Sequence, residues 1–166
     1  MSIKSALEKR GEDGVDAIQK QLEKTGSNSS YDLSNSVESE VTEKGGNTIL
    51  TISAFDYIFD VDEGRSPEEQ REEGFDKLFD DYEDWVEFKN VTLFDGFDSV
   101  ENMIAAMVVT SMQEGTKTYR SGESLGIIKN SITPKFIADT EKEILDNIEN
   151  GVLEIITKIS KDANSR

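Results

Sequence analysis

The chain has no cysteine and no histidine among its 166 residues. The missing thiol excludes a disulfide framework, a thiolate zinc site and a cysteine nucleophile. The missing imidazole removes the commonest general base and the commonest transition-metal ligand. Ser-His-Asp and Cys-His catalysis are thereby ruled out, and an enzyme built from this chain would rest on carboxylates, lysine or tyrosine. Long apolar runs are also lacking. No stretch approaches the ~18 apolar residues of a transmembrane helix. The start, "MSIKSALEKRGEDG", has no apolar core of the kind a secretory signal carries. Basic charge is scarce, with 18 Lys and Arg against 35 Asp and Glu, a net charge of −17. Phosphate contacts need clustered cations, so this balance argues against binding nucleic acid or an anionic membrane. It fits a protein of a cytosol-like compartment that stays apart from DNA or meets a basic partner.

What is present is a regular apolar pattern, too ordered for disorder to cover most of the chain. The length suits one domain over residues 1–166. Ile3, Leu7, Val15, Ile18 and Leu22 recur at helical spacing, and Gly26 suits the position just past the helix end. Gly11 and Gly14 weaken the middle and raise the expectation of two pieces. "GSNSSYDLSNS" reads as a polar linker. Leu33, Val37 and Val41 then share one parity, Lys44-Gly45-Gly46-Asn47 signals a turn, and "NTILTISAF" is rich in β-branched residues. Together these predict an antiparallel hairpin, about 34–43 against 47–55. Leu50, Ile52 and Ala54 share one face, and Ile49 on the other suggests that neither face is fully wet. "FDYIFDV" fits a strand and a helical turn equally well.

Ser66-Pro67-Glu68-Glu69 is a strong helix start, with a capping box and proline at the first helical position. Phe75, Leu78, Phe79, Tyr82, Trp85 and Val86 follow as an apolar stripe, with Gly74 as a break before it. Asp98 to Glu101 reads as a second capping box, ahead of a buried helix carrying Val100, Met103, Ile104, Met107 and Val108 and ending near Gly115. "TKTYRSGESLG" reads as a loop. Pro134 opens the last helix, where Leu145, Ile148, Val152, Ile155 and Ile159 keep a 3-4-3-4 spacing beside Ile144, Leu153 and Ile156. That stripe fits core packing plus a partner contact. The expected fold is α+β: a small antiparallel sheet or hairpin packed against several helices, with long N- and C-terminal helices.

Few motifs carry chemistry. Asp60, Asp62 and Gly64 echo a calcium loop, but the glycine falls one position early and Arg71 stands where the bidentate Glu belongs. Paired carboxylates are inevitable where Asp56–Asp84 alone holds 13 acidic and 3 basic residues, so no pair is singled out for acid–base work. Glu114-Gly115-Thr116-Lys117 lacks the second glycine of a phosphate loop. No cofactor or metal is expected. Gly64-Arg65 stands out most. Glycine there suggests positive φ or close backbone approach. Arginine among acids suggests a fixed ion pair, within the chain or to a neighbouring copy.

The order of these features resembles the head–tail joining, or tail-completion (neck), proteins of tailed bacteriophages. The likeness rests on an N-terminal helix followed by a strand at Leu33-Ser34-Asn35-Ser36-Val37 and a second strand from Ile49 to Ala54. It continues with Asp56-Tyr57, Ile58-Phe59 and Glu63-Gly64-Arg65, then Trp85-Val86-Glu87-Phe88-Lys89-Asn90-Val91. A helix from Met103 to Gly115 and a Pro134-Lys135-Phe136-Ile137 entry into the last helix complete it. The chain departs from the family where an acidic capped helix replaces a Gly/Pro-rich loop, and where Asn90-Val91 replaces glycine-isoleucine.

The resemblance implies a non-enzymatic virion part, made in the host bacterial cytoplasm and placed at the neck. Such a part forms a homo-oligomeric ring, commonly of six or twelve copies, between portal or adaptor and tail proteins. DNA passes through it without specific binding. Tyr57, Gly64, Arg65, Arg71 and Arg120 are then the expected subunit-interface residues, with Lys117 among the scattered cations. The alternative expectation is an acidic adaptor or DNA mimic that binds a basic protein and loses affinity steeply as salt rises. A carboxylate hydrolase is a third class and predicts a concave pocket holding a carboxyl of raised pKa.

Overall fold

A computed structural model of the chain describes residues 2–27 and 32–164, with side chains as far as 158. The architecture is α+β. Helix α1 (Ile3–Thr25) leads through the short α2 (Asp32–Asn35) into strands β1 (Glu38–Lys44) and β2 (Asn47–Ser53). Seven helices follow: α3 (Ile58–Glu63), α4 (Pro67–Glu73), α5 (Phe75–Phe88), α6 (Val100–Glu114), α7 (Lys117–Ser121), α8 (Ile127–Ser131) and α9 (Pro134–Asn164).

Helix α1 is continuous, capped by the Ser2 hydroxyl at its start and by left-handed Gly26 at its end. The expected break at Gly11 and Gly14 does not occur. Both glycines instead face the hairpin at a separation that leaves no room for a side chain. A Cβ on Gly11 would stand 2.6 Å from Ser39 Oγ, and one on Gly14 would stand 2.6 Å from Ile52 Cδ1. The lost helix propensity is the cost of laying the helix directly on the sheet.

The hairpin is antiparallel, with Glu38 opposite Ser53 and Lys44 opposite Asn47. Gly45 and Gly46 both take positive φ, as a two-residue turn that matches strand twist requires. Residues 34 and 35, expected in the first strand, belong to α2. Ser36 closes that turn, donating to the Leu33 carbonyl at 2.8 Å and accepting from the Phe55 amide at 3.0 Å. The family-like strand at Leu33–Val37 is thus a helical turn, and β1 starts only at Glu38. Residues 28–31 of the expected linker lie outside the described residues. Leu50 and Ile52 face α1. Ile49 is exposed on the opposite face, so that face is wet, contrary to expectation.

The ambiguous "FDYIFDV" resolves as a turn and a helix. The Ile58 amide donates to Phe55 at 3.0 Å and the Val61 amide to Tyr57 at 3.0 Å. Ile58 and Asp62, four residues apart, are buried, while Phe55, Tyr57 and Phe59 stay exposed. Helical period wins over alternation because only one helical face has something to pack on.

Among the described residues the core holds two apolar clusters, with Ala6 and Leu7 of α1 buried outside both. The first joins Ile18, Leu22, Leu33, Val37, Ile58 and Ile127, from α1, the residues before β1, α3 and α8. The second joins Leu78 and Val86 of α5 to Met103, Ile104 and Val108 of α6. Ser66 forms the predicted capping box with Glu69, and Gly74 separates α4 from α5. The start of α6 corrects the sequence reading by one residue. Ser99, not Asp98, is the cap, and its hydroxyl accepts from the Asn102 amide at 3.2 Å. The expected loop after Gly115 contains α7, capped by Thr116 and closed by Gly122.

Helix α9 departs most from expectation. Its first half lies on α1, where Arg10 Nε pairs with Glu143 at 2.7 Å and Arg10 Nη2 donates to the Asp139 carbonyl at 3.3 Å. The apolar stripe beyond that point enters neither cluster, and residues 152–158 are exposed all round. Among the described residues, no helix is long and apolar enough to cross a membrane.

Candidate functional site

Gly64-Arg65 marks a crossing of two segments far apart in sequence. The Arg65 amide donates to Thr116 Oγ1 at 2.9 Å, and the Thr116 amide donates to the Arg65 carbonyl at 2.9 Å. Two glycines allow the approach. Gly64 has φ +80°, and a Cβ there would overlap the Tyr119 amide nitrogen and stand 2.6 Å from Thr116 Oγ1. Gly115 also has φ +80°, and a Cβ there would stand 2.8 Å from the Arg65 carbonyl oxygen. Positive φ and the absent side chain are both required, so no other residue fits either position.

The Arg65 side chain leaves this crossing toward an open cleft of about 730 Å³, whose walls include Tyr57, Asp60, Glu73, Lys77 and Trp85. Its Nε pairs with Asp60 at 3.1 Å, and its Nη1 pairs with Glu73. Lys77 binds the other oxygen of Glu73 and also reaches Asp81 at 3.5 Å. Glu73, whose side chain is only 11 % exposed, is therefore held by two cations. Burial raises its pKa, but the hydrogen bonds from Lys77 and Arg65 outweigh that and hold the carboxyl below the usual carboxylate range. A general acid near neutral pH needs the opposite shift. Across the cleft, Tyr57 is pushed up by burial and by the charge of Asp32.

The two carboxylates of the calcium-like motif already have protein partners. Asp60 pairs with Arg65. Asp62 is buried, and its Oδ1 accepts from the Ser124 hydroxyl at 2.8 Å and the Ile127 amide at 2.9 Å. Its carbonyl accepts from the Leu125 amide at 2.8 Å. Asp62 thus pins α3 to the approach of α8. Nothing in "DVDEG" separates this aspartate from its exposed neighbours, so sequence reasoning missed it. Thr116 was missed for the same reason: its partner is 51 residues away. Among the described residues, no group of three acidic side chains is placed to hold a metal ion.

Of the five expected interface residues, the structure gathers three. Tyr57 and Arg65 line the cleft, and Gly64 lies behind them. Arg71 lies elsewhere, donating to the Met112 carbonyl at 2.8 Å and pairing with Glu68 at 2.9 Å. Arg120 pairs with Glu114 next to the glycine crossing. The ion pair foreseen for Arg65 is within the chain. Among the described residues several apolar side chains stay exposed, Leu93 and Phe94 before α6 among them, and two groups are the most extended. One is aromatic, where Phe55, Tyr57 and Phe59 are 41–59 % exposed and the Phe55 and Tyr57 rings meet at 5.9 Å. The other is the aliphatic side of α9. No family model matches the chain, and no curated protein or solved structure was found to match it.

Proposed function

We propose that the chain is a structural, non-catalytic assembly subunit: a ring component of a phage neck that joins the head or portal to the tail and lets DNA pass. The observation that carries this reading is that one strongly acidic body exposes more than one apolar group, the aromatic patch at the β2–α3 corner and the α9 face being the most extended. A ring subunit needs two such faces, since each copy meets a neighbour on either side. The order of sequence features shared with neck proteins supports the same class. An acidic wall suits a channel for DNA, because like charge shortens the residence of phosphate on it. Tyr57 belongs to the aromatic surface in this scheme. Gly64 and Arg65 act behind it by fixing the α3–α4 corner.

Two observations test the reading. The coding position should fall between portal or capsid genes and tail genes, and a position outside any such cluster would sink it. Negative-stain imaging of the purified chain mixed with the adjacent portal should show added ring density. Tyr57→Ala with Phe59→Ala should remove that density while leaving the monomer folded. Arg65→Glu is the wrong probe here. It would set a third carboxylate between Asp60 and Glu73 and damage folding itself.

A further inference from the structure

We infer that the free chain pairs with a second copy of itself through α9, the two helices running antiparallel across the aliphatic face. Leu145, Ile148, Val152, Leu153, Ile155 and Ile156 are each 45–65 % exposed. Four of them repeat at three- and four-residue intervals, the spacing of a helix–helix seam, and Ile159 continues the spacing in sequence. At roughly 100 Å² of uncovered surface each, they present about 600 Å² per copy. Two copies give at most about 1,200 Å², the lower end of specific protein interfaces, if all six are covered. A helical end that projects from its body with no packing is marginal in water, so the segment gains its order from whatever covers the stripe.

The charge pattern selects the occupant and its direction. Asp139, Glu141, Glu143, Asp146, Glu149 and Glu154 outnumber Lys135 and Lys142 in the earlier part of α9, whereas from residue 158 onward the sequence has Lys158, Lys161 and Arg166 against Asp162. A parallel copy would lay the acidic part over itself. An antiparallel copy centred on Val152, the midpoint of 145 and 159, sets Lys158 of each chain level with Asp146 of the other. Like charges apart and unlike charges together favour that alignment. The contact is two-fold and closes at two copies. It is a contact of the free chain, argued independently of the neck reading, and it must open before the same face can meet a neighbour in a ring.

The test uses the full chain in sedimentation or light scattering from about 1 to about 100 µM. A mass of two chains is expected at the upper end. The association should tighten as salt rises, since each copy carries −17. Ile155→Asp should stay at one chain throughout the range, with a melting temperature equal to wild type at about 1 µM, where both are single chains, because this residue lies outside both core clusters. The absence of native cysteine allows a second readout independent of that variant. On mild oxidation Val152→Cys should link to itself, and Leu145→Cys should not. A one-chain mass at every concentration overturns the inference. So does self-linking of Leu145→Cys equal to that of Val152→Cys, or a two-chain mass that survives Ile155→Asp. The neck reading is tested apart from the pair by Tyr57→Ala with Phe59→Ala, which should remove ring density on a portal while leaving the two-chain mass of the free protein unchanged.

Discussion

Gly11→Ala is the sharpest test of how α1 meets the sheet. Alanine in place of glycine favours a helix interior by about 1 kcal/mol, so propensity alone predicts a gain. The structure predicts a loss. The new Cβ would stand 2.6 Å from Ser39 Oγ, 2.8 Å from Ser39 Cβ and 2.9 Å from Leu50 Cδ1. Carbon atoms in ordinary contact sit at ~3.5–4.0 Å, so each separation must open by roughly 0.6–1 Å. The hydroxyl and the leucine methyl can rotate away. Ser39 Cβ cannot, because its strand is held by pairing with Ile52. Helix or sheet must therefore move, and such overpacking costs about 1–3 kcal/mol. Against the helix gain of about 1 kcal/mol this leaves a net loss of about 0–2 kcal/mol, or up to about 8 °C in Tm for a chain of this size. Differential scanning calorimetry reads it directly. Gly151→Ala is the control: it is also helical, with nothing within 4 Å of its would-be Cβ, and it should not lower Tm. A Gly11→Ala protein that melts above the wild-type temperature, as helix propensity alone predicts, refutes the close packing.

Three further outcomes are expected. Gln70 is buried in α4 with its Oε1 lacking a hydrogen-bond partner, so Gln70→Met should stabilise by about 1 kcal/mol in urea unfolding; a loss of that size would mean the oxygen has a partner after all. Ser66→Ala removes the hydroxyl half of a complete capping box and should cost about 1 kcal/mol by the same measurement, with no change meaning that α4 needs no cap. Glu73 has a native pKa below its unfolded value, so its contribution is fully present above the ordinary carboxylate range near ~4.3 and is lost as pH falls through the lower native value. Glu73→Gln should thus be less stable at neutral pH and show a shallower acid limb in a pH series of melting curves; parallel limbs would refute the double ion pair.

The legible parts of the fold were those written in local pattern. Caps and periodicity placed α1, α4, α5, α6 and the start of α9 because each has its apolar stripe and its end signals within a few residues of one another. The short helices α2, α3, α7 and α8 were missed or left open. With 4–6 residues each, they have too few turns to show a period, and they are helical because of what they pack on. Gly11 and Gly14 were misread because glycine lowers propensity locally while its benefit lies on another element. The α9 stripe was visible as apolar residues, but sequence cannot say whether a face is covered by its own chain. At the cleft, glycine, arginine and an ion pair could all be foreseen. The partners Glu73 and Thr116 could not, since neither spacing nor composition links residue 65 to residue 116.

The Arg65–Thr116 crossing also makes the chain nested. Every buried residue of the α5–α6 cluster falls between the two crossing points, and every buried residue of the other cluster falls outside them. Residues 66–115 therefore leave and re-enter the remaining protein at one place, as an insertion does. Their two ends are held together by a reciprocal pair of hydrogen bonds. The remainder keeps α1, the hairpin, α3 and α7 to α9 with a core of their own. Chain length can change inside the insertion without disturbing that core. The turn at Gly96 is exposed, so insertions should be tolerated there better than anywhere in α1.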